Sequence, residues 1–251
     1  MESRLELTKR AVDSHFWFRG FRQFVAPVIA AAAAGREAVR TLDCGSGTGD
    51  NLTRFAPAGY GVGIDVSRPG LALTRAAGFG GVCGDVVTLP FLDARFDLAT
   101  SFDVLQQIDD DCGAVREMAR VVKPGGTVIL TVAALECLHG DHNVVWDEIR
   151  RYTPKTALVL VQQAGLTPVR ISFLFASLFP ILLVSRTLQR LTRRFRPLSE
   201  QSDIDVPFAP VNAVLTWMVL TEARLSRLMP MPFGSSLLVV ARKPMPGTVA
   251  Q

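Results

Sequence analysis

The segment TLDCGSGTGD at residues 41–50 constrains the fold more than any other part of the chain. It joins a short apolar run, residues 39–42, to a helical pattern over residues 51–55. Three glycines stand at alternate positions, Gly45, Gly47 and Gly49, between Asp43 and Asp50. A strand that turns sharply into a helix with a ligand against the turn needs residues without a Cβ, and this pattern supplies them. The dinucleotide fingerprint G-x-G-x-x-G would place its third glycine at position 50. Asp50 stands there instead, and its carboxylate suits a pyrophosphate poorly.

The following segments repeat one pattern. Residues 61–65, GVGID, read as a second buried strand that ends in Asp65, twenty residues beyond Gly45. In an open α/β sheet that spacing puts a carboxylate at the end of the neighbouring strand, where it can accept both hydroxyls of a ribose. Ser67 is a plausible N-cap for a helix through Ala77, with Pro69 in its first turn. Residues 81–84 form a third strand followed by Asp85 and Val86, an acid for an exocyclic amine and an apolar wall for its ring. Residues 96–101, FDLATS, make a fourth strand, and acidic residues 109–111 open a helix whose positive end they suit. Residues 123–126, KPGG, read as a turn before a fifth strand at 127–132. Alternating strands and helices with acids and glycines at the strand ends predict a doubly wound α/β sheet, with its ligand at the crest where strand order reverses.

The series LDCGSGTG, GIDVS, GDVVTLPF, FDLATSFDVLQQI and RVVKPGGTVIL resembles the class I S-adenosylmethionine-dependent methyltransferases across roughly residues 39–133. The resemblance implies a Rossmann-like seven-stranded mixed sheet with helices on both faces, and S-adenosylmethionine as cofactor. It implies that Asp43 and Gly45 hold the methionine part, with Asp43 on its amino group, and that Gly47 and Gly49 shape the loop. Asp65, with Val66 beside it, would take the ribose, Asp85 and Val86 the adenine, and Ser101 and Phe102 would border the donor pocket. HFWFRGFR at residues 15–22, the pattern from His142 to RRYT, and PFGSSLLVVARK at residues 232–243 are similar to one bacterial subgroup of these enzymes. Gln106 and Gln107 stand where that subgroup often carries Glu-His, and Glu148 stands where it has a second histidine.

His139, Asp141 and His142 follow the fifth strand, so both histidines are candidates for work on the acceptor, as base or positioner. The H-x-D-H spacing on a loop is not diagnostic of a metal site, and no metal is expected. Arg150, Arg151 and Tyr152 could order this loop or clamp an anionic acceptor. Phe16, Phe18 and Phe21 could pack on the core, while His15, Trp17, Arg19 and Arg22 could line the mouth of a site. Sixth and seventh strands are expected at 167–175 and 235–242, separated by an insertion too long for a hairpin. Its stretch 177–197 is apolar and then basic, with Arg186, Arg190, Arg193, Arg194 and Arg196. That composition suits a helix in a membrane interface or a helix packed on the domain with a solvated basic end. A second helix is expected at 211–228, after an acidic, proline-bearing link at 199–210.

The division expected is a helical cover at 1–38, a donor-binding core at 39–175, a helical insertion at 176–234, and a last strand and tail at 235–251. Hydrophobic residues make up 49% of the 251 residues, yet no apolar run reaches spanning length. The start of the chain lacks an apolar signal core. Four cysteines without a CxxC pair read as reduced, mostly buried thiols of a cytoplasmic protein, with the inner membrane face as the surface a basic insertion would touch. The net charge of +4 permits phosphate or anionic lipid partners. Nucleic acid is disfavoured because the basic residues cluster in an apolar insertion without an aromatic stacking stripe. The function expected is methyl transfer to oxygen or nitrogen of a small amphipathic or lipid-linked acceptor. The competing reading is a donor-binding protein without turnover that acts as a membrane-surface module.

Overall fold

The computed structural model describes residues 9, 11–56, 59–192 and 206–247. The strands are β1 (Val39–Cys44), β2 (Gly59–Asp65), β3 (Gly80–Cys83), β4 (Phe96–Phe102), β5 (Val122–Ala133), β6 (Thr167–Leu174) and β7 (Ser236–Arg242). The helices are α1 (Phe16–Ala33), α2 (Asp50–Phe55), α3 (Arg68–Ala76), α4 (Asp111–Val121), α5 (Asp141–Val145), α6 (Pro154–Gln163), α7 (Phe179–Thr192) and α8 (Ala209–Leu225). The strands form one sheet in the order β3-β2-β1-β4-β5-β7-β6. The first five run parallel, and β7 lies antiparallel between β5 and β6. This is the α/β seven-stranded mixed sheet expected from the motifs, and its order reverses between β1 and β4.

Side chains alternate across the strands and divide the core into two layers. Leu98, Ile129, Leu238 and Val240 pack with Phe21, Phe24, Val25 and Ile29 of α1 and Val219 of α8. Their neighbours Ala99, Val128, Leu130, Leu237 and Val239 pack with Met118 of α4 and Leu160 and Val161 of α6. Each fully buried aliphatic side chain of this kind contributes about 1.5–3 kcal/mol of transfer free energy. Helix starts follow their caps. Ser67 Oγ accepts from Gly70 N, Asp110 Oδ1 from Gly113 N, and Thr153 Oγ1 from Thr156 N.

The cover is fastened at the carboxyl end of the sheet. A Cβ on Gly20 would approach Val219 Cγ2 to 2.8 Å, so glycine is what lets α1 and α8 pack this closely. Asn212 of α8 accepts from Phe16 N at 3.0 Å and donates to the Ser14 carbonyl at 2.9 Å. The ring of Trp17 stacks on Phe175 at 3.8 Å.

Four expectations change. Residues 123–126 belong to β5 as an irregularity, because pairing passes from Phe96–Val122 directly to Leu98–Thr127 and the extra residues bulge on one strand. Only Cys44 is buried; Cys83, on the edge strand, and Cys137, in a 3-10 turn over Glu136–Leu138, are exposed, and Cys112 is half-buried. Arg186 is turned inward and only 4% exposed. Arg190 donates to the carbonyls of Glu136, Cys137 and His139 at 3.3, 2.7 and 3.0 Å, so neither arginine extends toward a surface ligand. The outward side of α7 carries Ile181, Val184, Leu188 and Leu191 instead, all more than half exposed. Arg193, Arg194, Arg196 and the first part of the acidic link lie outside the described residues. Among the described residues no helix is long and apolar enough to cross a membrane.

Candidate active site

A cavity of ≈ 870 Å³ runs along the carboxyl ends of the parallel strands, from the glycine loop to the underside of α7. At one end the loop clasps β2: Gly45 N and Ser46 N both donate to the Ile64 carbonyl, at 2.8 and 3.1 Å. Gly45 has φ +76, and a Cβ there would come within 2.4 Å of Val104 Cγ2. Gly47 has φ +50 and lines the cavity, and a Cβ there would meet no protein atom within 4 Å. The two glycines therefore serve different ends, one close packing and the other an open cradle. Gly49, at φ +76, precedes α2 and lies against Thr74, away from the cavity wall.

Asp65 accepts from Gly47 N through Oδ2 at 2.8 Å and from Ser67 N through Oδ1 at 2.7 Å, so it stiffens the loop it faces. Each carboxylate oxygen keeps lone-pair capacity for a further donor. Val66, Asp85 and Val86 continue the wall, with Asp85 Oδ1 accepting from Val87 N at 3.0 Å. Phe102 closes it, edge-on to Phe21 at 5.3 Å.

Asp43 and Ser101 lie beneath this wall rather than on it. Thr100 Oγ1 donates to Asp43 Oδ1 at 2.7 Å, while Asp43 Oδ2 and Ser101 Oγ are buried without a protein hydrogen-bond partner. Burial pushes the Asp43 carboxyl up to about 7, opposed by the Thr100 hydrogen bond and the nearby Asn51 amide, and the charge of Asp65 adds to the rise. An orphaned buried acceptor under a glycine cradle suits a ligand that brings a cationic donor.

The other end of the cavity is apolar on the cover side, where Phe16, Trp17, Phe18, Leu178 and Leu182 face it, with His15 at the start of α1. Arg19 and Arg22 do not line it, and Arg22 donates to the Val12 carbonyl. Opposite stand Asp103, Gln106, His142, Glu148, Arg151 and Arg186. His142 Nε2 is 3.9 Å from Glu148 Oε1, Arg151 Nη2 is 3.7 Å from Glu148 Oε2, and Asn143 Nδ2 donates to Glu148 Oε2. Burial pushes the Asp103 carboxyl up to about 7; Glu148 adds to the rise, and Thr131 and Arg151 oppose it. Burial also lowers Arg151. Asp43 and Asp103 ionise near pH 4 in an unfolded chain. Folding therefore favours their protonated forms, and the stability they permit falls as pH climbs from about 4 to about 7.

Of the two candidate histidines, the structure brings only His142 to the wall; His139 points elsewhere, its carbonyl bound by Arg190. Among the described residues no three His, Cys, Asp or Glu side chains are grouped to hold a metal. Arg150 pairs with Asp111 at 2.8 Å and Tyr152 donates to the same carboxylate at 2.7 Å, so both order the loop from outside the cavity. Sequence reasoning missed Asp103 and Arg186. The acid directly after Ser101 and Phe102 was a usable signal for the first, whereas nothing in the amphipathic pattern showed which way Arg186 turns.

Residues 42–130 match the family described as a methyltransferase domain. The chain carries a class I S-adenosylmethionine-dependent methyltransferase domain, and S-adenosylmethionine is the cofactor of that domain. It is 37% identical to a demethylmenaquinone methyltransferase of Roseiflexus sp. (strain RS-1), over 52% of this chain and 58% of that protein. It is 32% identical to a malonyl-[acyl-carrier protein] O-methyltransferase of Erwinia billingiae, over 56% of this chain and 57% of the other. The match thus spans little more than half the length of these relatives. In fold, the chain resembles phosphoethanolamine N-methyltransferase 2 of Haemonchus contortus, solved with S-adenosyl-L-methionine. That likeness has a TM-score of 0.62 at 16% identity and covers 98% of this chain and 58% of that one.

Proposed function

We propose that this protein transfers the methyl group of S-adenosylmethionine to an oxygen or nitrogen of a small amphipathic or lipid-linked acceptor. The observation that carries the reading is the continuity of the cavity, which joins the glycine loop to a half-buried ionisable cluster beneath an apolar cover. A module that only bound the donor would have no use for that second end. In this reading Gly45, Gly47 and Asp43 take the methionine part, Asp65 the ribose, and Asp85 and Val86 the adenine, with Ser101 and Phe102 behind. His142, facing Glu148, helps position the acceptor. Holding an acceptor in line with a reactive methyl group is worth ~7–11 kcal/mol, so positioning supplies most of the effect. The two named relatives are described as acting on a quinone precursor and on an acyl-carrier-linked acid, and an amphipathic acceptor agrees with both. The test is incubation of the protein with methyl-labelled donor and separate lipid and aqueous cell extracts. Label in a new low-molecular-weight product supports the reading; donor binding in calorimetry without any labelled product favours the donor-binding module.

Donor binding should depend on pH. The ammonium of the donor favours ionised Asp43, whose carboxyl stands near 7 in the free protein. Affinity is therefore expected to rise on the order of tenfold between pH 5.5 and 7.5, with one proton released per donor bound at the lower end. Calorimetry in two buffers of different ionisation enthalpy reads both quantities. An Asp43→Asn variant that keeps the full pH dependence rules out this assignment.

The exposed aliphatic residues of α7, with Val211, Val214 and Trp217 of α8, are the basis for extending the reading to a membrane surface. Binding to anionic vesicles is expected at low salt and should weaken without vanishing as salt rises, since apolar burial is not screened. Replacing Leu188, Leu191 and Trp217 together with Ser should release the protein in flotation. A wild-type protein that stays at the bottom of the gradient at low salt removes the membrane surface from the proposal.

A further inference from the structure

Asp103 occupies the junction between the two ends of the cavity. It follows Ser101 and Phe102 directly, at the carboxyl end of β4 beside the crest where strand order reverses, and it lines the cavity. Its backbone is left-handed at φ +56, a conformation that persists only where the surroundings hold it. Two contacts with β5 do so: Asp103 N donates to the Thr131 carbonyl at 2.9 Å, and Thr131 Oγ1 donates to Asp103 Oδ1 at 3.2 Å. The second carboxylate oxygen takes no donor among the described residues. The charges that act on it are those of Glu148 and Arg151, both from the segment after α5, and Arg186 of α7 lines the same cavity.

We propose that Asp103 accepts the proton of the acceptor, so that the atom methylated is one that carries hydrogen, an O–H or N–H. The inference rests on the methyltransferase reading given above. A lone pair on the acceptor oxygen or nitrogen forms the bond to the methyl carbon. The carbon–sulfur bond breaks with its electron pair going to sulfur, which leaves a neutral thioether. The acceptor's proton passes to the second oxygen of Asp103 and from there to solvent. A carboxyl held near 7 matches proton transfer at neutral pH, where both protonation states are populated. His142 stands on the same wall with Glu148, Arg151 and Arg186; its Nε2 lies 3.9 Å from Glu148 Oε1, and the reading given above assigns it to positioning the acceptor.

The test has two arms. In the first, infrared titration of the whole protein from pH 5 to 9 compares the wild type with Asp103→Asn. A protonated-carboxyl band with a midpoint near pH 7, present in the wild type and missing from the variant, is expected; Asp43 contributes equally to both. No Asp103-dependent band between pH 6 and 8 overturns the proposal. In the second, the extract fraction that takes label from the donor is used as acceptor, and initial rates are followed across the same pH range. Asp103→Asn should bind donor within about twofold of wild type yet lose about 10²-fold or more in rate, and its residual rate should no longer rise through pH 7. A variant as active as wild type with the same pH profile overturns this inference and leaves the methyltransferase reading standing. A wild type that binds donor and labels nothing overturns that reading and this inference with it. Should Asp103→Asn fail to fold, Thr131→Val serves instead. It keeps the carboxyl and removes the hydrogen bond that lowers it, so the rate midpoint should move to higher pH; an unmoved midpoint counts against Asp103.

Discussion

Asp65→Ala is expected to cut affinity for S-adenosylmethionine on the order of a hundredfold. A carboxylate that accepts two ribose hydroxyls contributes through hydrogen bonds to a charged group, about 1.5–3 kcal/mol each. Competition with water brings the net loss to the lower part of the sum. The structure adds a second consequence. Asp65 also holds Gly47 N and Ser67 N, so the variant loosens the loop in addition to removing the carboxylate proposed to take the ribose. A fall of several degrees in melting temperature should accompany the affinity loss, since about 1 kcal/mol moves a protein of this size by ~2–4 °C. Asp65→Asn keeps the volume and one acceptor oxygen and should lie between the two. Calorimetry with the donor and thermal melting of the free protein read these effects separately. Wild-type affinity in a folded Asp65→Ala protein removes Asp65 from the ribose.

The second large effect separates two glycines that look alike in the sequence. At Gly45 a methyl group meets Val104 at 2.4 Å in a left-handed backbone. Overpacking costs about 1–3 kcal/mol and the left-handed conformation about 1–2 kcal/mol more. Gly45→Ala should therefore lower the melting temperature markedly and weaken donor binding with it. At Gly47 the same methyl group meets no protein atom and enters the cavity, so Gly47→Ala carries mainly the conformational cost. It should remain folded and lose donor affinity by tenfold or more, because the methyl group occupies the cradle. If Gly47→Ala binds donor as the wild type does, the loop is not the donor's cradle.

The core of the fold was legible because its signals are local. A strand, a turn of small residues and a capped helix are fixed by side chains within a few positions of one another. Asp43, Gly45, Asp65 and Asp85 lie at the ends of their own strands, so strand periodicity alone carries them to one edge. Period-2 alternation in residues such as Leu98 and Ala99 likewise assigns faces without knowledge of the partner. What the sequence left open depends on contacts between distant segments. Asp103 and Thr131 share a hydrogen bond only because β4 and β5 are neighbours in that register. Glu148, Arg151 and Arg186 meet because a loop after β5 and a helix after β6 close over the same cavity. The pattern of residues 179–192 specified a helix but not its rotation. Arg186 points inward, to a wall that carries Asp103 and Glu148, and the aliphatic side chains point outward. Amphipathicity is a property of the helix by itself, whereas the side that is buried depends on what the rest of the chain presents to it. The same reason explains His139 and His142, three residues apart, of which only one reaches the cavity.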